Sequence, residues 1–210
     1  MKTFIAFVSI LSLVLSDLEI APYEVTKQYE EWDVRKFPPT KWISTDAQDV
    51  APHDGPEHSK VTFYSIFITS YIKLHPIQAF FRLFNYIDGS NNMNMKIPMT
   101  APVSMRIIPG EGPNCESNFT MSFYIPSSLQ EDTPTPTDPL VYIEERPEFE
   151  VVSKQFGGFP NDLKFSAEAA ELYVLAEEEG LSVKDVPLWT AGYDGPSVII
   201  NRRNEVWLEI

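Results

Sequence analysis

Residues 95–103, Met-Lys-Ile-Pro-Met-Thr-Ala-Pro-Val, constrain the fold of this chain more than any other segment. Pro98 and Pro102 cannot both lie inside a helix, because each lacks a backbone N–H and its ring clashes with the preceding turn. Each proline also drives the residue before it toward extended geometry. The sequence therefore predicts a stiff extended crossing between two layers, which follows a helix ending at Gly89 and enters a strand at Val103–Ile108.

The first residues have the pattern of a targeting signal. Met1-Lys2 is a short positive start, and an apolar run follows from Phe4 to Leu15. This pattern predicts a secretory signal peptide at residues 1–16, removed after Ser16, and hence a secreted, extracellular protein. A membrane anchor is the alternative, but it requires about 20 apolar residues, and Asp17 ends this run sooner.

Residues 17–210 are expected to form a single domain, because 210 residues with 43% hydrophobic composition fill one core and are few for two. The formal net charge of −14 argues against nucleic acid and anionic membrane surfaces as partners, since both attract basic patches. The apolar runs predict no stable membrane insertion. The sequence leaves the oligomeric state open.

Two residues near the middle of the chain depend on the predicted compartment. Cys115 is the single cysteine, so a secreted chain has no internal disulfide and its core must hold the fold. Asn118 begins an Asn-Phe-Thr sequon, which is meaningful only in a secreted chain. We therefore expect a glycoprotein modified at Asn118.

Hydrophobic periodicity predicts two helices and several strands. One helix begins near Pro76 and stops at Gly89, and the other spans Asn161–Glu179. The predicted strands form consecutive pairs: 23–37 with 41–45, 104–108 with 119–125, 141–145 with 149–156, and 189–193 with 204–210.

The order strand pair, helix, strand pair occurs twice along the chain. Glu30–Phe37 also echoes Glu148–Phe156 in its pattern of charged and apolar residues. This repetition predicts a pseudo-twofold α+β domain, with two helices on a curved antiparallel sheet or open barrel. An apolar groove is expected between the helices.

Five motifs, in this order, resemble those of the SOUL heme-binding protein family. They are residues 95–103, Phe123–Pro126, Gln155–Phe159, Thr190–Tyr193 and Asn204–Leu208. The resemblance covers about residues 29–210. It implies a SOUL-type distorted antiparallel β-barrel with two flanking α-helices, and heme or another tetrapyrrole as a cofactor bound in a shallow apolar groove.

The resemblance also implies ligand contacts, residue by residue. One branch of the family has a histidine proposed as an iron ligand where this chain has Lys36, and another has lysines near the heme propionates where this chain has Asn85 and Val198. All three polar contacts are therefore changed. The apolar candidates that remain are Phe81, Phe84 and Ile87 on the first helix, and Leu172 and Leu175 on the second. Core packing is the alternative interpretation of these five residues.

The histidines are weak candidates for metal ligands. His53 and His58 lie in a polar loop and His75 lies beside it, and a lone loop histidine is more often solvated. Without an axial ligand, heme binding would depend on burial of the porphyrin, at about 25 cal/mol per Å² before association costs.

Residues 61–78 are nearly uncharged and interrupt the family pattern, since removing them joins Lys60 directly to Ala79. The codons available at both ends match splice boundaries, which suggests a retained intron in the gene prediction. A lineage-specific extension is the other interpretation.

The sequence shows no phosphate loop, no metal-spaced set of ligands and no nucleophile with its base, so we expect that the protein is not an enzyme. The first functional hypothesis is a secreted carrier or scavenger of heme or a related tetrapyrrole. The alternatives are an interaction protein, which would use a short helical motif at residues 172–177, and a binder of another apolar small molecule that has lost heme binding.

Overall fold

The computed structural model describes residues 18–48, 75–108, 118–195 and 197–210. The strands are β1 (Glu19–Ile20), β2 (Glu24–Gln28), β3 (Trp32–Phe37), β4 (Thr40–Gln48), β5 (Thr100–Ala101), β6 (Val103–Ile108), β7 (Asn118–Tyr124), β8 (Val141–Arg146), β9 (Phe149–Phe156), β10 (Leu188–Gly192) and β11 (Asn204–Glu209). The helices are α1 (His75–Ile87) and α2 (Asp162–Glu178), with a short 3-10 turn at Ser127–Leu129. The predictions for residues 1–16, 61–74, His53, His58 and Cys115 lie outside the described residues.

Nine of these strands form one antiparallel sheet in the order β2-β3-β9-β11-β10-β6-β7-β4-β8, curled into a half-barrel. Both helices pack on the same face, α1 on β4 and β7 and α2 on β9 and β11. This arrangement confirms the predicted α+β fold with two flanking helices. In the parts of the chain that the structure describes, no helix is long and apolar enough to cross a membrane.

The chain contains the predicted repeat, but the first strand of each repeat pairs with a strand of the other repeat. The unit β3-β4-α1-β6-β7 recurs as β8-β9-α2-β10-β11, and β3 pairs with β9 of the second unit while β8 pairs with β4 of the first. The predicted pairing of 23–37 with 41–45 is therefore wrong, as is the pairing of 141–145 with 149–156. The echoing segments Glu30–Phe37 and Glu148–Phe156 are not equivalent in the repeat, because β3 is the first strand of its unit and β9 is the second strand of its unit.

These pairings between the two repeats explain why the sheet curls. Six strand spacings separate β3 from β4 in the sheet, roughly 29 Å if the sheet were flat. The chain crosses from Phe37 to Thr40 in three residues, which span at most roughly 11 Å. The same argument applies to Arg146 and Phe149 at the start of the second unit. Pro38 has its φ fixed at about −65°, whereas a two-residue hairpin turn needs a positive φ at its first residue, so the chain passes between the two ends of the sheet instead of folding back.

The region predicted as one strand from 23 to 37 is a hairpin. Strands β2 and β3 pair in antiparallel register, and the Tyr29 N–H donates to the Trp32 carbonyl at 2.9 Å across the turn. The ring of Tyr29 also stacks on Trp32 with centroids 3.8 Å apart. Two adjacent glutamates occupy the turn, where their side chains are exposed.

The double-proline segment forms the predicted crossing. It contains no helix, pairs briefly as β5 with β1, and enters β6 at Val103. Thr100 holds its end by donating from Oγ1 to the Tyr124 carbonyl at 2.6 Å, and the buried Ile97 packs under α1. The predicted helix ends are also confirmed: Gly89 follows α1 with φ +125°, and the Asn161 side chain caps α2 by accepting from the Lys164 N–H.

Candidate functional site

The register of the sheet identifies a row of residues that crosses the face beneath the two helices. Gly192 of β10 lies between Asn204 of β11 and Val103 of β6, and Phe156 and Phe123 continue the row on either side. The three central residues therefore lie on the strands nearest the pseudo-twofold axis.

Each of the two helices packs on one outer residue of this row. The Phe165 ring of α2 meets Phe156 with centroids 5.2 Å apart, and the Phe80 ring of α1 meets Phe123 at 5.3 Å. The residues between them form the floor of a groove between the helices. We call it the inter-helix groove.

The groove is closed at one end and open at the other. Leu188 and Ile107, four residues along from the Gly192 row, are 2% and 0% exposed, and Val183 joins them in the core. Gly192 and Met105 are partly exposed, and Met105 packs against the hydrophobic clusters under both helices. A ligand would therefore enter over the Gly192 row.

Gly192 leaves room at this entrance. A Cβ placed on it would meet no atom within 4 Å. Its backbone is that of an ordinary strand, so no left-handed conformation explains a glycine here, and a glycine inside a strand often marks a place where a ligand or another backbone approaches closely.

Helix α1 supplies an aromatic wall. Phe80 stacks on Phe84 with centroids 6.1 Å apart and contacts Phe81 edge-on at 6.0 Å. Phe84 is half-buried and Phe81 is 45% exposed. Ile87, by contrast, is buried in the core under α1, and Asn85 is exposed to solvent. The structure thus brings Phe84 to the groove region and assigns Ile87 to packing.

On α2, the structure places both candidates of the sequence in the core packing under that helix. Leu172 is 0% exposed, and Leu175 is half-buried against the same cluster. On the sheet beneath, Lys154 reaches up to Glu168 and Glu171, with Nζ–O distances of 3.0 and 2.7 Å. The apolar stripe of α2 is therefore explained by packing.

The remaining two candidates lie apart from the groove floor. Lys36 is on β3, outside the strands of the Gly192 row, and lies opposite Glu150, six residues along β9 from Phe156. Its Nζ pairs with Glu148 at 2.7 Å. Val198 lies in the loop between β10 and β11, where its carbonyl accepts a hydrogen bond from Arg202 Nη1 at 2.8 Å. The candidates from the resemblance therefore do not form one surface.

Sequence reasoning missed the floor itself. Gly192 and Asn204 stand inside two of the family motifs, but their meeting depends on the register between β10 and β11. Asn204 is 1% exposed, and its Nδ2 donates to the carbonyls of Phe156 at 3.3 Å and Gly158 at 2.9 Å. Its Oδ1 is buried and accepts no hydrogen bond among the described residues.

The opposite face of the sheet is charged, but its charges pair with one another. Glu144 accepts from Arg146 at 2.9 Å and from Ser44 at 2.7 Å. The Arg146 guanidinium lies between the Trp42 and Trp189 rings, 4.1 and 4.6 Å from their centroids. Burial lowers the pKa of Arg146 to about 10, although Glu144 opposes the shift. Burial alone would raise the pKa of Glu144, but the Arg146 charge and the Ser44 hydrogen bond hold it below its ordinary value.

The groove lining fits one face of a porphyrin, because it is aromatic, aliphatic and thioether in character. Among the described residues, no group of three or more histidine, cysteine, aspartate or glutamate side chains could hold a metal ion.

Comparison with known proteins agrees with this geometry. Residues 18–209 match the family described as SOUL heme-binding protein. The chain is 35% identical to heme-binding protein 2 of Homo sapiens over 188 residues, which is 90% of this chain and 82% of the human protein. It is 36% identical to heme-binding protein 1 of Sus scrofa over 131 residues, covering 62% of this chain and 69% of the pig protein.

Among solved structures, the C-terminal domain of EcmrR has a TM-score of 0.53 at 10% identity, covering 89% of this chain and 96% of that one. A putative bacterial transcription regulation protein from Staphylococcus aureus MU50 has a TM-score of 0.51 at 10% identity, with 86% and 98% covered. At this identity the likeness concerns the fold alone.

Proposed function

The chain belongs to the SOUL heme-binding protein family, and on this premise we propose that its inter-helix groove binds heme or a related tetrapyrrole. The observation that carries the proposal is the open apolar floor at Gly192, where a side chain is absent and a Cβ would meet nothing within 4 Å. Burying about 200 Å² of ring surface there would contribute about 5 kcal/mol before association costs.

Three residues would lie against the ring face: Val103, Met105 and Gly192. Phe80 and Phe84 would line one edge and exclude water from it. Bound heme would supply an iron centre, and the residues described here would hold the macrocycle by contact with its ring surface. This mode suits transport or buffering of the ligand, so we propose a carrier or scavenger and not an enzyme.

We further propose that this carrier is secreted. The support is the apolar run at residues 4–15 followed by Asp17. Asn118 is exposed at the first residue of β7, where an attached glycan would project into solvent. Expression in a secretory eukaryotic cell should release the protein into the medium with a new N-terminus after Ser16. Enzymatic deglycosylation should reduce its mass by one glycan, and full-length unmodified protein kept inside the cell would contradict this proposal.

An interaction role for the helical motif at residues 172–177 has less support. Leu172 and Ala176 are both 0% exposed in the core under α2. A helix that docks into a partner's groove must present such residues outward.

A titration of the purified protein with hemin tests the binding proposal. We expect a saturable change in the Soret band with one heme per chain, and quenching of tryptophan fluorescence. Gly192→Val should weaken binding at least about tenfold, and Gly192→Ala less, because the added side chain occupies the floor, where a Cβ meets no atom within 4 Å. Lys36→Ala is the matched control outside the groove. Equal affinity of Gly192→Val and the original protein would contradict the site.

A further inference from the structure

Met105 lies on β6, and its side chain faces the two helices. On the same strand, Val103 packs against the cluster under α1, and Ile107 belongs to the cluster under α2. Side chains alternate along a strand, so Met105, which lies between these two residues, projects to the same face. Met105 itself packs against both clusters. Its side chain therefore lies between the two helices and not under one of them.

The side chain of Met105 is partly exposed, whereas its neighbours across the sheet are buried. Thr190 of β10 and Met121 of β7 flank it in the register, and they are 8% and 5% exposed. Because both flanks are closed, the exposed surface of Met105 opens into the inter-helix groove. Gly192 is the diagonal neighbour of Met105 on β10 and adds no side chain over it.

The Met105 side chain carries a soft electron-pair donor, its thioether sulfur, which is a known type of axial ligand for heme iron. Methionine is unbranched and has three rotatable bonds, so the sulfur can turn toward a ring above the floor while the backbone stays in the sheet. The other residues that we place against the ring face, Val103 and Gly192, have no side-chain atom that binds iron. The donor atom and the open surface of the floor therefore coincide at Met105.

We propose that the Met105 sulfur is an axial ligand of heme iron in the inter-helix groove, and that it favours ferrous over ferric iron. This inference rests on the proposed function of the groove. It adds an iron ligand on the central strands, in a chain that has Lys36 where the resemblance implied a histidine. The preference follows from the softness of the thioether, since methionine ligation raises the reduction potential of heme.

The test compares hemin with iron-free protoporphyrin IX, which has the same ring and propionates but no metal. Met105→Leu removes the sulfur and nearly conserves the side-chain volume, a kind of change that cores tolerate well. It should weaken the binding of hemin about fivefold and of dithionite-reduced heme at least about tenfold, and change the binding of protoporphyrin IX less than about twofold. Met121→Leu is the matched control, because it makes the same change at the buried cross-strand neighbour. It should change none of these affinities.

A redox titration of the bound heme gives a readout that does not depend on affinity alone. Because the thioether favours the ferrous state, the Met105→Leu complex should have a lower midpoint potential than the complex of the original protein. The Met121→Leu complex should keep the original potential. An unchanged potential in Met105→Leu would contradict the ligation.

The outcomes separate the inference from the function on which it rests. If neither hemin nor protoporphyrin IX binds the original protein saturably, the proposed function fails. If both bind and Met105→Leu weakens them to the same extent, Met105 contributes only contact with the ring and the inference is wrong. If Met105→Leu does not fold, equal affinity of the original protein for hemin and for reduced heme overturns the inference.

Discussion

The two faces of the curled sheet solve the problem of buried polar groups in different ways. On the face away from the helices, Glu205 is 0% exposed and is surrounded by donors from several strands. It accepts from Arg35 at 2.7 Å, Trp207 Nε1 at 2.8 Å, Tyr193 at 2.9 Å and Arg203 Nε at 2.8 Å. On the helix face, the floor is largely apolar. Its Asn204 amide donates to two carbonyls, and its buried Oδ1 has no donor among the described residues. The ionic face therefore holds strands together, and the helix face carries the groove that we propose as the ligand site.

The comparison also shows that the buried charged groups of this protein do not mark its candidate site. Buried charged groups often mark functional sites, but here each buried carboxylate is matched by guanidinium groups of the chain itself. Arg35 joins Asp33 to Glu205 and so ties β3 to β11 across β9. A ligand gains nothing from charges that are already paired.

The largest expected effect comes from breaking the ionic face. Glu205→Ala removes the acceptor that Arg35 and Arg203 share. Arg35 keeps its pair with Asp33, but the buried Tyr193 hydroxyl and Trp207 Nε1 lose their acceptor as well. We expect the free energy of unfolding to fall by about 3–5 kcal/mol, measured by urea denaturation. Tetrapyrrole affinity of the folded protein should stay within about twofold, since Glu205 faces away from the groove. A large loss of affinity without loss of stability would contradict the division between the faces.

The ionic face should also make stability depend on pH. The pKa of Glu205 is lowered in the folded protein, because the charges of Arg35 and Arg203 outweigh the effect of burial. A carboxylate with a lowered folded pKa contributes stability above its ordinary pKa of 4.5, and loses it as the pH falls through the folded value.

We therefore expect the melting temperature to drop steeply below pH 4.5, in addition to the effect of the scattered surface carboxylates. Glu144→Gln, which removes a second carboxylate with a lowered pKa, should flatten this drop. Melting curves measured between pH 7 and pH 3 test the expectation. Parallel pH profiles for the two proteins would show that Glu144 contributes nothing to acid sensitivity.

A smaller effect is expected on the helix face. Phe84 and Leu175 both belong to apolar stripes of helices in the sequence, but they have different roles. Phe84→Ala removes part of the aromatic wall of the groove and should weaken tetrapyrrole binding about fivefold to tenfold, equivalent to about 1–1.4 kcal/mol. Leu175→Ala acts on the core under α2, so it should lower stability and leave the dissociation constant unchanged. Fluorescence titration and thermal unfolding of both variants test the distinction, and equal binding losses would contradict it.

Phe84 and Leu175 show how much of the fold and of the candidate site could be predicted from the sequence. Periodicity predicts both helices and their ends, because glycine stops and the Asn161 cap are local signals. It cannot say whether an apolar stripe packs in a core or lines a groove, since both have the same spacing. Two of the four predicted strand pairings, 104–108 with 119–125 and 189–193 with 204–210, are confirmed. The other two failed for a different reason: β3 and β8 each pair with the other repeat, and a short connection resembles a hairpin in either case. The Gly192–Asn204 juxtaposition lies within the predicted β10–β11 pair, but it depends on the residue register of that pair, which the pattern does not give.

The smallest expected effect is at Lys36, the position where the resemblance implied an iron ligand. Its side chain is partly exposed and pairs with Glu148, whose side chain is 54% exposed, and exposed ion pairs contribute little to stability. Because Lys36 lies opposite Glu150, six residues along β9 from Phe156 at the edge of the groove floor, Lys36→Ala should leave the hemin affinity and the melting temperature unchanged within error. A measurable loss of hemin affinity in this variant would move the binding site from the groove to the outer edge of the sheet. The contrast between Lys36→Ala and Gly192→Val therefore decides whether ligands bind at the family's first-strand position or over the central strands.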